Sequence, residues 1–463
     1  MELLPYGQKK VQGKELVITN DNHQVGDNDM FSFSKIDVLD LQPFEICSIR
    51  PPTENYSLTF RITRNCYWNK CAFCPVYKCG AKFSRRNIDE VLEDIKRAKQ
   101  IDDFLFEQGI GYPLYSDADF YKLQNILQKV QQQRWEAGIV DVNEDVSADA
   151  DVKRIDDERM QWFMQWFVEK PTLAQCFEHV VQWRIGGGKT CFLGDADGLI
   201  VAAKDYEKIL SHIKQNFPTL QRFTIYGRTK TARKKDFKDL VKLHKAGLHR
   251  VHFGLESGSD EVLKLMNKGE DSRDHIEGCL KTKEAGLSVS VYSMPGLGGK
   301  KLSHAHALET ARVINATGPD FVRLRTLSIF PYTPLMDMVK AGKFEPCSDD
   351  EIVDEIETLI TAIDVPVMLY SDSATNLLPL NGKLPQDKST LLSAISEYKS
   401  KDYIERLQYR LRARLESFVG QYGRLTDDIE LLLKPLVKGN SIVIDNTEYV
   451  EEVITTVYNK LMP

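Results

Sequence analysis

Three cysteines, Cys66, Cys71 and Cys74, stand in the spacing C-x4-C-x2-C within Cys66-Tyr67-Trp68-Asn69-Lys70-Cys71-Ala72-Phe73-Cys74. Thiolates are soft ligands that suit zinc, copper(I) and iron–sulfur clusters. A structural zinc site would need a fourth ligand, which Cys79 is placed to supply. A [4Fe-4S] cluster with one iron left open needs only the three. Other segments also combine chemistry with small residues. They are Gly194-Asp195-Ala196-Asp197-Gly198, Gly254-Leu255-Glu256-Ser257-Gly258-Ser259 and Met294-Pro295-Gly296-Leu297-Gly298-Gly299. Arg228 follows another apolar run, and Arg323 and Arg325 stand two apart, on one face of a strand. An arginine facing inward there could clamp a substrate carboxylate bidentately.

These residues need a frame, and the hydrophobic pattern supplies one. An apolar strand over 58–63 leads into the cysteines, and a helix over about 87–100 follows, with Asp89 and Glu90 in its first turn. Arg85 and Arg86 before it read as a solvated helix start or as anion contacts. Downstream, strands over 190–194, 222–226, 250–255, 287–294 and 321–327 alternate with helices over 205–216, 235–246, 260–265, 275–285 and 304–316. The last of these strands is read as the final one. Six strand–helix units with short crossovers predict an α/β fold, a partial (β/α)6 TIM-like barrel. Each chemical segment then falls at the C-terminal end of a strand, the face on which α/β barrels do chemistry. Gly186-Gly187-Gly188-Lys189-Thr190 is not a phosphate loop, because G-x4-G-K-[ST] needs glycine where Trp183 stands and a helix where a strand follows. A turn feeding the second strand is the simpler reading.

The cysteine stretch resembles the cluster loop of the radical S-adenosylmethionine (SAM) superfamily, in which an aromatic precedes the last cysteine, as Phe73 does. Its first gap is one residue longer than the common C-x3-C-x2-C, a spacing ordinary in the poorly characterised group that its Cys-x-Trp-Asn-Lys-Cys-x-Phe-Cys phrase resembles. The resemblance runs over about 58–335 and implies a [4Fe-4S] cluster on Cys66, Cys71 and Cys74. It also implies SAM as cofactor, with Phe73, Gly194, Asp195, Ala196, Arg228, Glu256, Ser257 and Gly296 near it. Gly194-Asp195-Ala196 would take the place of the segment that binds the methionyl ammonium, with Asp195 where glutamate is usual. Glu256 and Ser257 would meet ribose or methionine, Gly296 would make room for adenine, and Arg228 would meet the SAM carboxylate. Asn69 or Lys70 would tune the cluster. The implied activity is reductive cleavage of SAM to a 5′-deoxyadenosyl radical that acts on a small-molecule substrate. The electron comes from a donor such as flavodoxin or ferredoxin. A cluster-bearing binding protein such as a haem chaperone, and a zinc-stabilised barrel, are the other readings.

The 463-residue chain carries a net charge of −6, which argues against a broad nucleic-acid footprint. Nine cysteines, three of them clustered, do not look like a secreted disulfide framework. No signal-peptide core and no apolar run of about 20 residues is visible. A soluble, cytoplasmic protein of a reducing compartment is expected, with no nucleic-acid or membrane partner. Residues 101–183 read as a helical insertion. Its first part, 101–170, holds 15 acidic and 7 basic residues, a local charge of −8. Its aromatic stripe (Phe120, Leu123 and Leu127, then Trp162, Phe163, Trp166 and Phe167) is expected to pack on the barrel, with a polar loop over 141–157. Residues 1–57 form an N-terminal extension whose 40–50 stretch is expected to be a strand, and whose Asp21, Asp27 and Asp29 lie in a plain loop. Residues 336–463 are expected to be mainly helical. The polar stretch 371–384 is expected to close the substrate mouth, and a small α+β tail follows 425.

Overall fold

The computed structural model describes residues 36–47, 49–78, 82–110, 117–139, 171–438 and 441–462. Cys79, the aspartates of the first 30 residues, the 141–157 loop and the aromatics Trp162 to Phe167 lie outside the described residues, as does the side chain of Phe120.

The six parallel strands expected from the alternation are present and in order. They are β1 (Leu58–Arg61), β2 (Thr190–Gly194), β3 (Arg222–Gly227), β4 (Arg250–Glu256), β5 (Ser288–Ser293) and β6 (Phe321–Leu324). They pair sequentially in the order β1-β2-β3-β4-β5-β6, each parallel to the next. The sixth strand is not the last, which corrects the sequence expectation. β7 (Val367–Tyr370) adds in parallel to β6, and β8 (Gly382–Leu384) returns antiparallel along β7. The apolar run Val367, Leu369 would have served equally well as helix core, so periodicity alone could not assign it. The partial barrel is thus an open, mainly parallel sheet of eight strands.

Alternation along the strands explains the layers. Phe223 and Ile225, Val251 and Phe253, Val289 and Val291, Val322 and Leu324 belong to the main core. The intervening residues are polar: Thr224 and Tyr226, His252, Ser290 and Tyr292, Arg323. They share the other face, as the ring contacts of Tyr226 with His252 (6.1 Å) and Tyr292 (6.5 Å) require. Burying apolar side chains under the helices supplies the driving force, at about 25 cal/mol per Å² of apolar surface. The polar face lines the inside of the barrel.

Among the described residues of 40–50 there is no strand. A 3₁₀ turn (Val38–Asp40) leads into a segment pinned mostly by side chains, with one backbone bond from Arg61 N–H to the Glu45 carbonyl (3.2 Å). Glu45 N–H donates to Asp94 (3.2 Å) and Cys47 N–H to Thr59 Oγ1 (3.2 Å). Arg86 is not solvated either, because its guanidinium is buried against Asp94 (2.6 Å) and the Arg61 carbonyl (2.8 Å). The Gly186–Thr190 stretch is the expected turn: Gly187 and Gly188 take φ of +91° and +67° after the helix Leu173–Ile185, and β2 starts at Thr190. Arg184 in that helix is fully buried on Asp102 (2.7 Å) and ties it to the helix Ile88–Glu107. After β8, the helices Lys388–Ser400 and Tyr403–Tyr422 precede a second core, which joins the latter helix to Thr447–Lys460. Among the described residues no helix is long and apolar enough to cross a membrane.

Candidate active site

A cleft of about 190 Å³ opens at the C-terminal ends of the strands. Cys66, Cys71 and Cys74 all border it, with Phe73, Ala196, Arg228 and Glu256. Seven of the eleven residues expected from the sequence therefore meet at one place. Gly194, Asp195, Ser257 and Gly296 do not border the cleft. Asp195 is committed elsewhere: its buried carboxylate accepts from Arg61 Nε (2.8 Å), Asn65 N–H (2.7 Å) and Cys47 Sγ (3.4 Å). It thus fixes the start of the cysteine loop and presents no charge to a ligand. Ser257 Oγ lies 2.7 Å from His306 Nδ1 and accepts from Ser259 N–H, so it holds the turn after β4. Gly296 donates its N–H to Glu355 (2.8 Å).

The cysteine loop is tied to the barrel mostly through the turn after β4. Ala72 N–H donates to the Met266 carbonyl (2.8 Å) and Trp68 Nε1 to the Asn267 carbonyl (2.8 Å). The Trp68 ring lies so close to Gly269 that a Cβ there would sit 2.3 Å from it, and Gly269 itself takes φ +73°. Only glycine meets both demands at once. Phe73 packs with Val262, Met266, Met294 and Leu297 beneath the loop. Asn69 braces the loop from within, donating to the Tyr77 carbonyl (2.6 Å), and its N–H lies 3.5 Å from Cys66 Sγ. Lys70 lies over the Trp68 ring (5.2 Å).

Glu256 ends β4 with a register slip against β5 and a left-handed φ of +65°. A non-glycine residue there stores strain, the kind of outlier that clusters at functional sites. Its carboxylate folds back over Gly254, where a Cβ would sit 2.2 Å from Oε1. Lys268 Nζ faces Glu256 (3.4 Å) and Glu270 (3.7 Å), and Arg228 pairs with Glu270 (3.1 Å) while lying under the Tyr67 and Trp68 rings. Burial pushes the Cys71 thiol up, and the Lys268 and Arg228 cations beside it pull it back down. Burial and the neighbouring thiols push Cys74 up to about 12.

Asp197 sits behind this wall. Burial outweighs its hydrogen bonds from Thr231 Oγ1 and Arg228 N–H, and raises its carboxyl from 3.8 to about 7. The unfolded chain ionises this group first, so it makes stability fall as pH rises from about 4 to about 7. Asp197→Asn removes the titration. Urea unfolding across that window is expected to show wild type losing a few kcal/mol relative to the variant. Parallel pH profiles would refute this.

The donor set fits the cluster implied by the sequence. Three thiols border one cavity, two cations lie beside Cys71, and no fourth thiol lines the cleft among its described residues. Among the described residues no group of three or more His, Cys, Asp or Glu side chains is placed to hold a metal ion. Lys268, Glu270, Tyr226 and Tyr292 were not singled out from the sequence. Lys268 lies in the Met266-Asn267-Lys268-Gly269 phrase after β4, but each tyrosine is the fifth residue of a six-residue strand, where an aromatic reads as core.

Residues 160–311 match the model of the Radical SAM superfamily, spanning β2 to β5 and beginning beyond the cysteine loop. Over 120 residues the chain is 30% identical to a tRNA uridine(34) acetyltransferase of Methanocaldococcus infernus, covering 26% of this chain and 22% of that protein. The chain thus spans about a fifth of the length of the curated relatives it matches. One similar solved structure is the archaeal Methanocaldococcus infernus Elp3 with an N-terminal deletion (19% identity, 51% of this chain and 59% of that one, TM-score 0.35). Another is coproporphyrinogen III oxidase from Escherichia coli (12% identity, 58% and 77%, TM-score 0.31). The matched region, β2 to β5, supports a radical SAM superfamily protein.

Proposed function

We propose that this protein is a radical SAM enzyme acting on a small molecule, with a [4Fe-4S] cluster held by Cys66, Cys71 and Cys74. The observation that carries the reading is the meeting of these three thiols with the strand-end residues Ala196, Arg228 and Glu256 around one cleft. When bound, the cluster and SAM supply reductive cleavage of the sulfonium bond to a 5′-deoxyadenosyl radical. The chain's own residues bind, orient and exclude water. Lys268 and Arg228 favour the thiolate at Cys71. The Glu256 carboxylate accepts hydrogen bonds from ribose hydroxyls. Arg228, held by Glu270, gives the wall beside the loop a fixed positive charge, and Ala196 leaves its backbone open to the ligand. Phe73 and Met294 keep that wall apolar.

A small molecule is favoured over tRNA, on which the matched acetyltransferase acts by its name, because a chain of net charge −6 lacks the basic footprint of a nucleic-acid binder. A flavodoxin or ferredoxin would supply the electron, and a reducing cytoplasm suits both the thiols and the donor. The test is anaerobic reconstitution with iron and sulfide, then reduction in the presence of SAM. A brown protein that yields 5′-deoxyadenosine and methionine is the expected result. A brown protein that yields neither would make this a cluster-bearing binding protein, and zinc in place of iron would overturn both.

A further inference from the structure

Glu256 holds a left-handed φ of +65°, which a glutamate keeps only when its surroundings over-determine it. The restraint lies behind the cleft wall. The turn Ser257-Gly258-Ser259 packs on the helix Gly299–Thr317 so closely that a Cβ at Gly258 would sit 2.2 Å from the Glu309 carbonyl oxygen. Within that helix His306 is fully buried between two strand ends. Its Nδ1 is 2.7 Å from the Oγ of Ser257, the residue after Glu256. Thr310 Oγ1, 3.4 Å from the same nitrogen, accepts from Gly258 N–H (2.9 Å). On the other side of the ring, Nε2 is 3.0 Å from the Met294 carbonyl after β5 and 3.5 Å from Glu355 Oε1. Met294 N–H in turn donates to the Glu256 carbonyl (2.9 Å), and both residues border the cleft.

The polarity of these bonds is fixed by what each atom can do. The Met294 carbonyl only accepts, so Nε2 carries the proton. Ser257 Oγ accepts from Ser259 N–H (3.0 Å), and its own proton points to Nδ1. A neutral ring with its proton on Nε2 thus satisfies both ring nitrogens and the serine hydroxyl, as buried polar groups require. A second proton on the ring would take Nδ1 away as the acceptor of that hydroxyl.

We propose that His306 is a positioning residue for the cofactor. It ties the turn after β4 to the end of β5 and so keeps the Glu256 carboxylate at the cleft. This rests on the reading that Glu256 meets the ribose of SAM. His306 does not border the cleft and acts through Glu256. Without the tie the turn relaxes, residue 256 leaves the left-handed region, and its carboxylate leaves the cleft wall.

Equilibrium dialysis of labelled SAM against full-length protein, reconstituted anaerobically, tests it, with affinity expressed per bound cluster. His306→Phe keeps a ring and removes both bonds, and should weaken SAM binding about tenfold. His306→Gln, which still presents an N–H to the Met294 carbonyl, should fall between that variant and wild type. Ser257→Ala should weaken binding about threefold. The deciding readout is a double-variant cycle: once Glu256→Ala has lowered the affinity, adding His306→Phe should cost less than about twofold more. His252→Phe is the control for lost stability, since His252 is equally buried in β4 but faces Glu54 (3.8 Å) and not the cleft. Its SAM affinity should stay within about twofold of wild type. If melting shows that His306→Phe does not fold, His306→Gln and Ser257→Ala complete the same cycle with Glu256→Ala. Wild-type affinity in the His306 variants overturns the inference, as do fully additive losses in the double variant, which would give His306 a merely structural role. In both cases wild type still binds and cleaves SAM, so the cofactor reading stands. No SAM binding by reconstituted wild type overturns both, and binding without 5′-deoxyadenosine refutes the enzymatic reading alone.

Discussion

Cys71→Ala protein, reconstituted anaerobically, is expected to come out nearly colourless and to form 5′-deoxyadenosine more than about a hundredfold more slowly than wild type. Even residues that only support metal ligands commonly cost 10- to 100-fold. Cys71 is one of three sulfurs on a single cavity wall, and it is the one whose thiol the Lys268 and Arg228 cations pull down. With two thiolates left, an iron site loses both charge and geometry. Cys66→Ala and Cys74→Ala should behave alike. Cys347→Ser is the control, since that cysteine stands among Ser303, Glu351 and Glu355 and does not border the cleft. Iron and sulfide analysis with electron paramagnetic resonance of the reduced protein reads the outcome. Full iron content in Cys71→Ala would remove the basis of the proposed function.

Glu270→Ala should be the most damaging single change away from the cysteines. The carboxylate is fully buried between Arg228 (3.1 Å) and Lys268 (3.7 Å), and it also accepts from Thr229 Oγ1 (2.9 Å) and Lys230 N–H (2.8 Å). Removing it leaves two buried cations short of a partner, at a cost of about 3–5 kcal/mol. Arg228 would also lose its hold beneath Trp68, so the cysteine loop should retain less iron. The pH dependence has a definite sign. Burial alone would raise the Glu270 carboxyl, but Lys268 and Arg228 outweigh it and hold it below its ordinary 4.5. Its stabilisation is therefore complete above about pH 5 and is lost as pH falls through the folded-state value. The gap between wild type and Glu270→Ala in urea unfolding should narrow below about pH 4. Glu270→Gln, which keeps the shape and one acceptor, should fall between them. A variant within about 1 kcal/mol of wild type at pH 7 would show that the cluster of charges is solvated rather than mutually dependent.

What the sequence determined by itself was the local and the periodic. Thiol spacing on a strand-to-helix loop is a property of nine consecutive residues, and the six-strand series follows from alternating patterns that each span fewer than 20 residues. The meeting of Cys66, Cys71 and Cys74 with Ala196, Arg228 and Glu256 then follows from chain order, because parallel strands bring all their C-terminal ends to one face. Tertiary structure decided which polar side chain at each strand end was already engaged. Asp195 and Ser257 have the right types at the right places, but their partners, Arg61 and His306, lie 134 and 49 residues away. No local pattern records such a pairing. The same limit hid the polar face of the sheet. Tyr226 and Tyr292 look like ordinary strand aromatics until register puts them on that face, and the partners of Arg323, Tyr370 and Asp372, arrive with β7, a strand that periodicity did not assign. A side chain's availability for binding depends on which distant groups reach it first, and only the folded chain fixes those distances.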